Sequence, residues 1–303
     1  MTSQEPALRS RESATGAIYD LGYRGYDGPR LGRRYAVATL FWASLRAAYA
    51  LKRSGRAKIV PWGLAALMMA PAAVAVAIAA LAPGAPIPYT YDNFLWGTQV
   101  LLAIFVAAQA PELVSSDQRH RVLSLYFSHA LERTDYALAK LAALAAAVFG
   151  MALAPMLVLF LGRVLLAQDV AEAFGNEIKN LPQVVLAPLL YAIPLAGLSL
   201  AIAAYTPRRA YATGAIIAVF IVTAAVSAIL GEAVTNGPIG DLAQLINPFV
   251  PIDGTRDLLL GGPAPDSPVE ATGFPLYWFA IEWVLLSLIT AAVVLWRYRR
   301  VAA

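Results

Sequence analysis

The sequence predicts an all-α integral membrane protein with six transmembrane helices, an N-terminal interfacial helix and a long extracytoplasmic loop before the last span. Three observations carry this prediction. Hydrophobic residues make up 59% of the 303-residue chain and charged residues 14%, with a mean hydropathy of +0.63, far from the balance of a soluble globular domain. Six apolar runs each approach the roughly 20 residues that a helix needs to cross the hydrocarbon core. The basic residues gather beside alternate ends of those runs, as topology signals do. The same placement accounts for the net charge of +4 without nucleic acid as a partner. The chain has no cysteine, which excludes disulfides, thiolate metal sites and cysteine nucleophiles.

Residues 1–58 read as a cytosolic segment ending in the interfacial helix, and residues 59–303 as the six-span domain. Met1 to Ala17 are polar, carry Arg9 and Arg11 and lack the apolar centre of a signal peptide, so the N-terminus is expected to stay in the cytosol. The following GAIYDLGYRGYDGPRLGRR is rich in glycine and arginine. It has no G-x-x-x-x-G-K-[ST] pattern, nor does any other part of the chain, so it reads as a turn-rich segment near the headgroups. From Arg33 to Lys58, Val37, Phe41, Leu45, Ala48 and Tyr49 fall on one side of a helix, with Thr39, Arg46 and Arg53 opposite. Arg46 interrupts the apolar run, and basic residues at both ends can meet anionic membrane lipids, so this helix is expected at the membrane surface.

The six spans are placed at Ile59–Leu81, Phe94–Val114, Leu138–Leu161, Leu181–Tyr205, Ala210–Leu230 and Phe274–Trp296. Of the 23 Lys and Arg residues, 20 then fall on one side, leaving Arg163, Lys179 and Arg256 on the other. The positive-inside rule puts both termini in the cytosol of a multi-pass cell-membrane protein. Aromatic residues sit at matching depths: Tyr89, Tyr91, Trp96, Tyr277 and Trp278 outside, Trp62, Tyr205, Tyr211 and Trp296 inside.

Two connections stand out. The cytosolic loop 115–140, SSDQRHRVLSLYFSHALERTDYALAK, mixes charges of both signs with apolar residues. A helical reading puts Leu123, Phe127, Ala130 and Leu131 on one face, suiting either a surface helix that offers its other face to a protein partner or an ordinary solvated loop. The extracytoplasmic loop 231–273 contains the apolar stretch DLAQLINPFVPIDGTRDLLLGG, broken by Pro248, Pro251 and Gly254. Helices that dip into the outer leaflet and return would fit it.

No catalytic constellation is visible. His120 and His129 lie in the cytosolic loop without an H-E-x-x-H pattern, and no G-x-S-x-G elbow occurs, so neither a metal site nor a catalytic triad is expected. The remaining candidates are polar groups inside the spans. Gln99, Gln109 and Glu112 belong to the second span and Glu282 to the sixth. A carboxylate in hydrocarbon costs about 3 kcal/mol on insertion scales, so such a group faces a cavity, a partner or the interface. Each of the four is a candidate for a substrate path. Glu112 beside Arg119, and Glu282 beside Arg256, are equally explained by local pairing. Prolines 71, 111, 155, 188 and 194 supply points where the spans could bend.

The order of these parts resembles the permease subunit of an ABC-2 type transporter. The segment RVLSLYFSHALERTDYALAK is similar to the family's link between the second and third spans, matching at Leu123 to Phe127, Ser128, Arg133, Tyr136 and Lys140, with Ala130 where a proline is common and His120 where a glycine is common. IYDLGYRGYDGPRLGR resembles the opening of many bacterial permeases of this group. The resemblance implies two such subunits, copies or paralogues, paired around a path. It also implies a separate ATP-binding subunit docked on the 115–140 loop, with Arg121, Tyr126, Arg133 and Asp135 as coupling residues and no cofactor on this chain. The E-A-A-x-x-x-G loop of importers is absent, which favours export. Two other classes stay open: an intramembrane enzyme using Asp117, His120 and Glu112, and a structural or assembly membrane protein without a path.

Topology reporters fused at Asn93, Thr206 and Ala303 should read outside, inside and inside. An outside signal at Ala303 would mean that the number of crossings is odd.

Overall fold

A computed structural model describes residues 28, 31–51, 53–82, 87–120, 123, 126, 131–233, 238–261, 269, 272 and 274–300. The chain divides into Met1–Leu31 and Gly32–Ala303, and every helix with stated bounds belongs to the second part. These helices are α1 (Gly32–Ala48), α2 (Gly55–Leu81), α3 (Tyr91–Arg119), α4 (Arg133–Leu165), α5 (Val170–Glu177), α6 (Leu181–Ala204), α7 (Arg209–Ala233), α8 (Pro238–Gln244), α9 (Phe249–Leu260) and α10 (Leu276–Arg299). A short 3₁₀ turn, Ile178–Asn180, joins α5 to α6. No strand occurs among the described residues.

Six helices are long and apolar enough to cross a membrane: α2, α3, α4, α6, α7 and α10. This is a multi-pass, all-helical membrane protein. The helical choice follows from the solvent, because hydrocarbon offers no partner for a backbone N–H or C=O, and only a helix closes all such bonds within one segment. In the spanning windows of α3, α4 and the α5–α6 stretch, 56%, 50% and 67% of residues are buried, against 22%, 17% and 17% in α2, α7 and α10. The former therefore make the centre of the bundle. The latter present Val74 and Ile78, Ile221 and Val222, and Leu288 and Ile289 outward, a surface suited to lipid tails.

Small residues set the closest approaches. A methyl group on Gly162 of α4 would overlap Val76 of α2, and one on Gly197 of α6 would overlap Thr290 of α10. With no hydrophobic effect driving helices together inside lipid, such close packing supplies the attraction. Prolines 71, 111, 155, 188 and 194 all lie within helices.

The ends of the spans carry their own signals. Thr90 caps α3 by accepting from the backbone N–H of Asn93 at 3.3 Å, and Asp169 caps α5 by accepting from Ala171 and Glu172 at 2.9 and 3.0 Å. A reciprocal capping box between Glu132 and Asp135 opens α4. The 115–140 loop is thereby shorter than the sequence suggests: α3 continues to Arg119, and α4 begins at Arg133. Within the remainder Leu123 and Tyr126 are helical, while Arg121, Phe127, His129 and Ala130 lie outside the described residues.

Helix α1 turns Leu40, Ser44 and Ala48 inward, with Val37, Phe41, Leu45 and Tyr49 half-buried beside them and Arg46 exposed. It packs lengthwise on α4. Arg33 at its start holds Asp135, and Tyr49 just beyond its end donates to the Ala147 carbonyl at 2.6 Å. Those two contacts are about 18 Å apart along α4 at 1.5 Å per residue.

In the long loop before α10, the expected breaks at Pro251 and Gly254 do not occur. Both residues lie inside α9, whose residues from Phe249 to Asp257 are all buried. Pro251 is the third residue of the helix, where its missing N–H has no intrahelical partner to lose. Gly254 lets the Phe279 ring of α10 rest on the α9 backbone, since a Cβ there would overlap that ring.

Gly254→Ala should therefore lower stability by about 1–3 kcal/mol through overpacking, with part of the loss recovered when Phe279→Ala is combined with it. Thermal unfolding of the purified protein in detergent measures both; additive losses in the double variant would reject this contact as the cause.

Candidate functional site

Two polar networks close the bundle, one at each end. The first lies where the starts of α1, α2, α4 and α7 meet the ends of α3, α6 and α10, at the end richest in basic residues. Its centre is Asp117 on α3. The carboxylate pairs with Lys140 of α4 at 2.9 Å and accepts from the Tyr136 hydroxyl at 2.8 Å. The Lys140 ammonium, itself buried, also donates to the Leu113 carbonyl at 2.8 Å. Burying such a lysine is costly unless it has an opposite charge and further hydrogen-bond partners, which Asp117 and the Leu113 carbonyl supply here. The Tyr136 ring lies 5.0 Å from Tyr298 of α10 and 5.6 Å from Tyr126. Gln118 then donates both to the Tyr298 hydroxyl, at 3.0 Å, and to the Ala204 carbonyl at the end of α6, at 2.9 Å.

Around that centre stand the residues proposed from sequence for coupling. Arg133 donates to the Arg299 carbonyl of α10 at 3.0 Å. Asp135 receives a two-point contact from Arg33, at 2.7 and 2.8 Å, and also closes the α4 cap through the Glu132 N–H at 3.2 Å. Glu132 pairs with the same arginine. Tyr126 is half-buried, and burial, then the charge of Asp117, pushes its hydroxyl pKa up. Arg121 lies outside the described residues.

The span-embedded candidates separate. Glu112 does not pair with Arg119. It is shared by Arg53, ahead of α2, and Arg209, at 2.6 Å, in the first turn of α7. Gln109 is buried on the same helix, and Gln99 has a buried side-chain oxygen without a hydrogen-bond partner among the described residues. Glu282 on α10 does not pair with Arg256 either; its Oε2 is buried and has no hydrogen-bond partner among the described residues. The structure does not bring Gln99, Gln109, Glu112 and Glu282 together through any hydrogen bond or ion pair among the described residues. His120 sits at the end of α3 with Nδ1 2.8 Å from the Ser116 carbonyl. Among the described residues no group of three or more His, Asp or Glu side chains could hold a metal ion.

The second network is at the opposite end and was not legible as a site. Arg256 of α9, expected to be one of three outer basic residues, is fully buried. It donates to Asp257 at 2.7 Å, to Asp253 at 3.2 Å and to the Asp92 carbonyl at the start of α3 at 3.1 Å. Tyr191 of α6 donates to the same Asp253 carboxylate. Burial pushes the Asp253 carboxyl up to about 6, with Arg256 and the Tyr191 hydroxyl pulling against it. Burial also works against the Arg256 charge, but Tyr191, Asp253 and Asp257 outweigh it and hold its pKa above the ordinary value. Next to this cluster, Arg163 of α4 covers the Tyr91 ring at 4.5 Å and faces Glu177 at 3.8 Å, while the Tyr91 hydroxyl donates to Glu177 at 2.8 Å. The only sequence signal was D-x-x-R-D at Asp253 to Asp257, whose i, i+3 spacing puts Asp253 and Arg256 on one helix face.

Comparison with family models and with characterised proteins finds no match for this chain.

Removing the guanidinium tests the second network. Arg256→Met leaves Asp253 and Asp257 buried without their cation, so stability at neutral pH should fall by about 3–5 kcal/mol. The deficit should shrink as pH is lowered, because the stranded carboxylates can then take up protons. Denaturant unfolding in detergent at two pH values measures this, and an equal loss at both would reject the electrostatic cause.

Proposed function

We propose that the chain is the membrane-spanning permease subunit of an ATP-binding cassette exporter of the ABC-2 type, working with a separate ATPase subunit and a second permease copy or paralogue. The observation that supports this most is the bonding around the 120–132 connection. The segment is flanked by Asp117 and Gln118 on one side and by Glu132, Arg133 and Asp135 on the other, and bonds from those residues reach α1, α4, α6 and α10. A partner that moves this connection therefore moves the ends of most central helices together. That is the mechanical requirement for turning nucleotide-driven closure of an attached subunit into a rearrangement of the spans.

On this reading the coupling residues divide their work. Arg121 and Tyr126 belong to the docking face. Arg133 and Asp135, bonded to α10 and α1, pass the movement on. The absence of any Walker-A pattern fits an energy supply on another chain. Glu282 and Gln99, each with a buried unpartnered oxygen, remain the candidates for a polar path through the apolar bundle.

The isolated chain should not hydrolyse ATP, and hydrolysis should appear only with its partner. Arg121→Ala with Tyr126→Ala should weaken ATPase binding in pull-downs by about thirtyfold or more, as truncating interface anchors does. Lys179→Ala is the control, since Lys179 is exposed at the opposite end with no ion pair among the described residues. Wild-type complex formation and wild-type efflux in the double variant would reject the docking role.

A further inference from the structure

A groove of about 1170 Å³ lies where the start of α2, the last turns of α3 and the start of α7 come together. Its floor is apolar, made by Val60, Ala108, Gly214 and Ile217, and its mouth carries Arg119, Arg208 and Arg209. We propose that this groove holds one anionic phospholipid, with the phosphate on Arg119 and Arg208 and an acyl chain along the floor. The proposal goes beyond the permease reading and does not depend on it.

Charge complementarity selects the headgroup. Glu112 is shared by Arg53 and Arg209, which leaves that carboxylate spent. Neither Arg119 nor Arg208 has a carboxylate partner among the described residues. The Arg208 guanidinium carbon lies 5.8 Å from the centre of the Tyr211 ring, and its N–H groups make no hydrogen bond among the described residues, so they can meet a phosphate oxygen. Both arginines are exposed. The mouth therefore carries unmatched positive charge, with hydrogen-bond donors free to meet an anion.

The floor selects a lipid over a soluble anion. Inorganic phosphate would satisfy the arginines and leave Val60, Ala108 and Ile217 uncovered, whereas a phospholipid covers both parts. Gly214 keeps the floor open: a Cβ built there meets nothing within 4 Å. The depth is also right for a headgroup. The Arg53–Glu112–Arg209 bridge marks the level at which α2 and α7 begin, and Tyr211, 64% exposed, stands at the same level as an interfacial aromatic does. Only 17% of the α7 spanning window is buried, so the groove opens on the lipid-facing side of the bundle.

The test uses the full chain purified in mild detergent, offered phosphatidylglycerol or phosphatidylcholine and read by native mass spectrometry. One phosphatidylglycerol should be retained per chain in preference to phosphatidylcholine. Arg119→Gln with Arg208→Gln should lower that affinity about thirtyfold, about fivefold for each basic residue lost at a membrane surface. Arg46→Gln, an exposed arginine of α1 away from the groove, should not change it. Gly214→Leu keeps every arginine but fills the floor, and should also abolish selective retention. Equal retention of the two lipids, or a Gly214→Leu variant that binds like wild type, would overturn the site in favour of diffuse surface attraction. Full displacement of the lipid by inorganic phosphate would overturn it in favour of a soluble-anion site.

Discussion

Hydrocarbon cannot solvate a charge or a peptide group, and the arrangement of this molecule follows from that constraint. Each span closes its own backbone bonds, so attraction between spans is left to close contacts such as Gly162 on Val76 and Gly197 on Thr290. The charged residues collect at the ends. There they do not simply reach for water: Lys140 is buried and pairs with Asp117 of α3, and Asp253, Arg256 and Asp257 are buried together on α9, with the Asp257 Oδ2 left without a hydrogen-bond partner among the described residues. The apolar middle makes the bundle, and the two polar ends fix the register of one helix against another.

The ends differ in kind. At the basic end the bonds run between many helices, each contributing one or two groups, and much of the network is partly exposed. Exposed pairs such as Arg33 with Glu132 contribute little individually. At the opposite end one guanidinium is enclosed by groups from α3, α6 and α9. Such a centre adds little to stability over an apolar replacement of the same shape, yet losing a single member is costly. It specifies where α9 sits rather than how strongly the bundle holds.

Much of the fold was readable because its signal is long and repetitive. All six apolar runs became helices, and all but α6, which ends one residue short of its run, extend a few residues beyond it at one or both ends, since polar termini such as Ser115–Arg119 and Arg133–Asp135 continue the helix beyond the apolar stretch. The half-buried flank of α1, Val37, Phe41, Leu45 and Tyr49, was readable with Ala48 from its 3.6-residue period, whereas the buried Leu40 and Ser44 were not. What was not readable depended on tertiary partners. Pro251 and Gly254 look like breaks until Pro251 is seen in a first turn and Gly254 beneath Phe279. Sequence proximity suggested Arg119 for Glu112 and the side of the map suggested Arg256 for Glu282, but Glu112 is taken by Arg53 and Arg209, and the Glu282 Oε2 has no hydrogen-bond partner among the described residues. Arg256 carries the same letter as a topology signal, and only its enclosure by α3 and α6 distinguishes it. The capping box at Glu132 and Asp135 was hidden because Glu132 stands where the usual pattern has Ser or Thr, and only the hydrogen bonds show Asp135 to be a helix-start residue.

The seat of α1 on α4 has a consequence for how the molecule is made. The Arg33–Asp135 contact joins residues 102 positions apart, and the Tyr49–Ala147 bond joins residues 98 apart. During synthesis α1 leaves the ribosome long before its support exists, and two spans must be threaded into the bilayer before the third arrives to receive it. Until then its apolar side has no helix of the bundle to rest on, so the burial of α1 waits on a partner made about a hundred residues later.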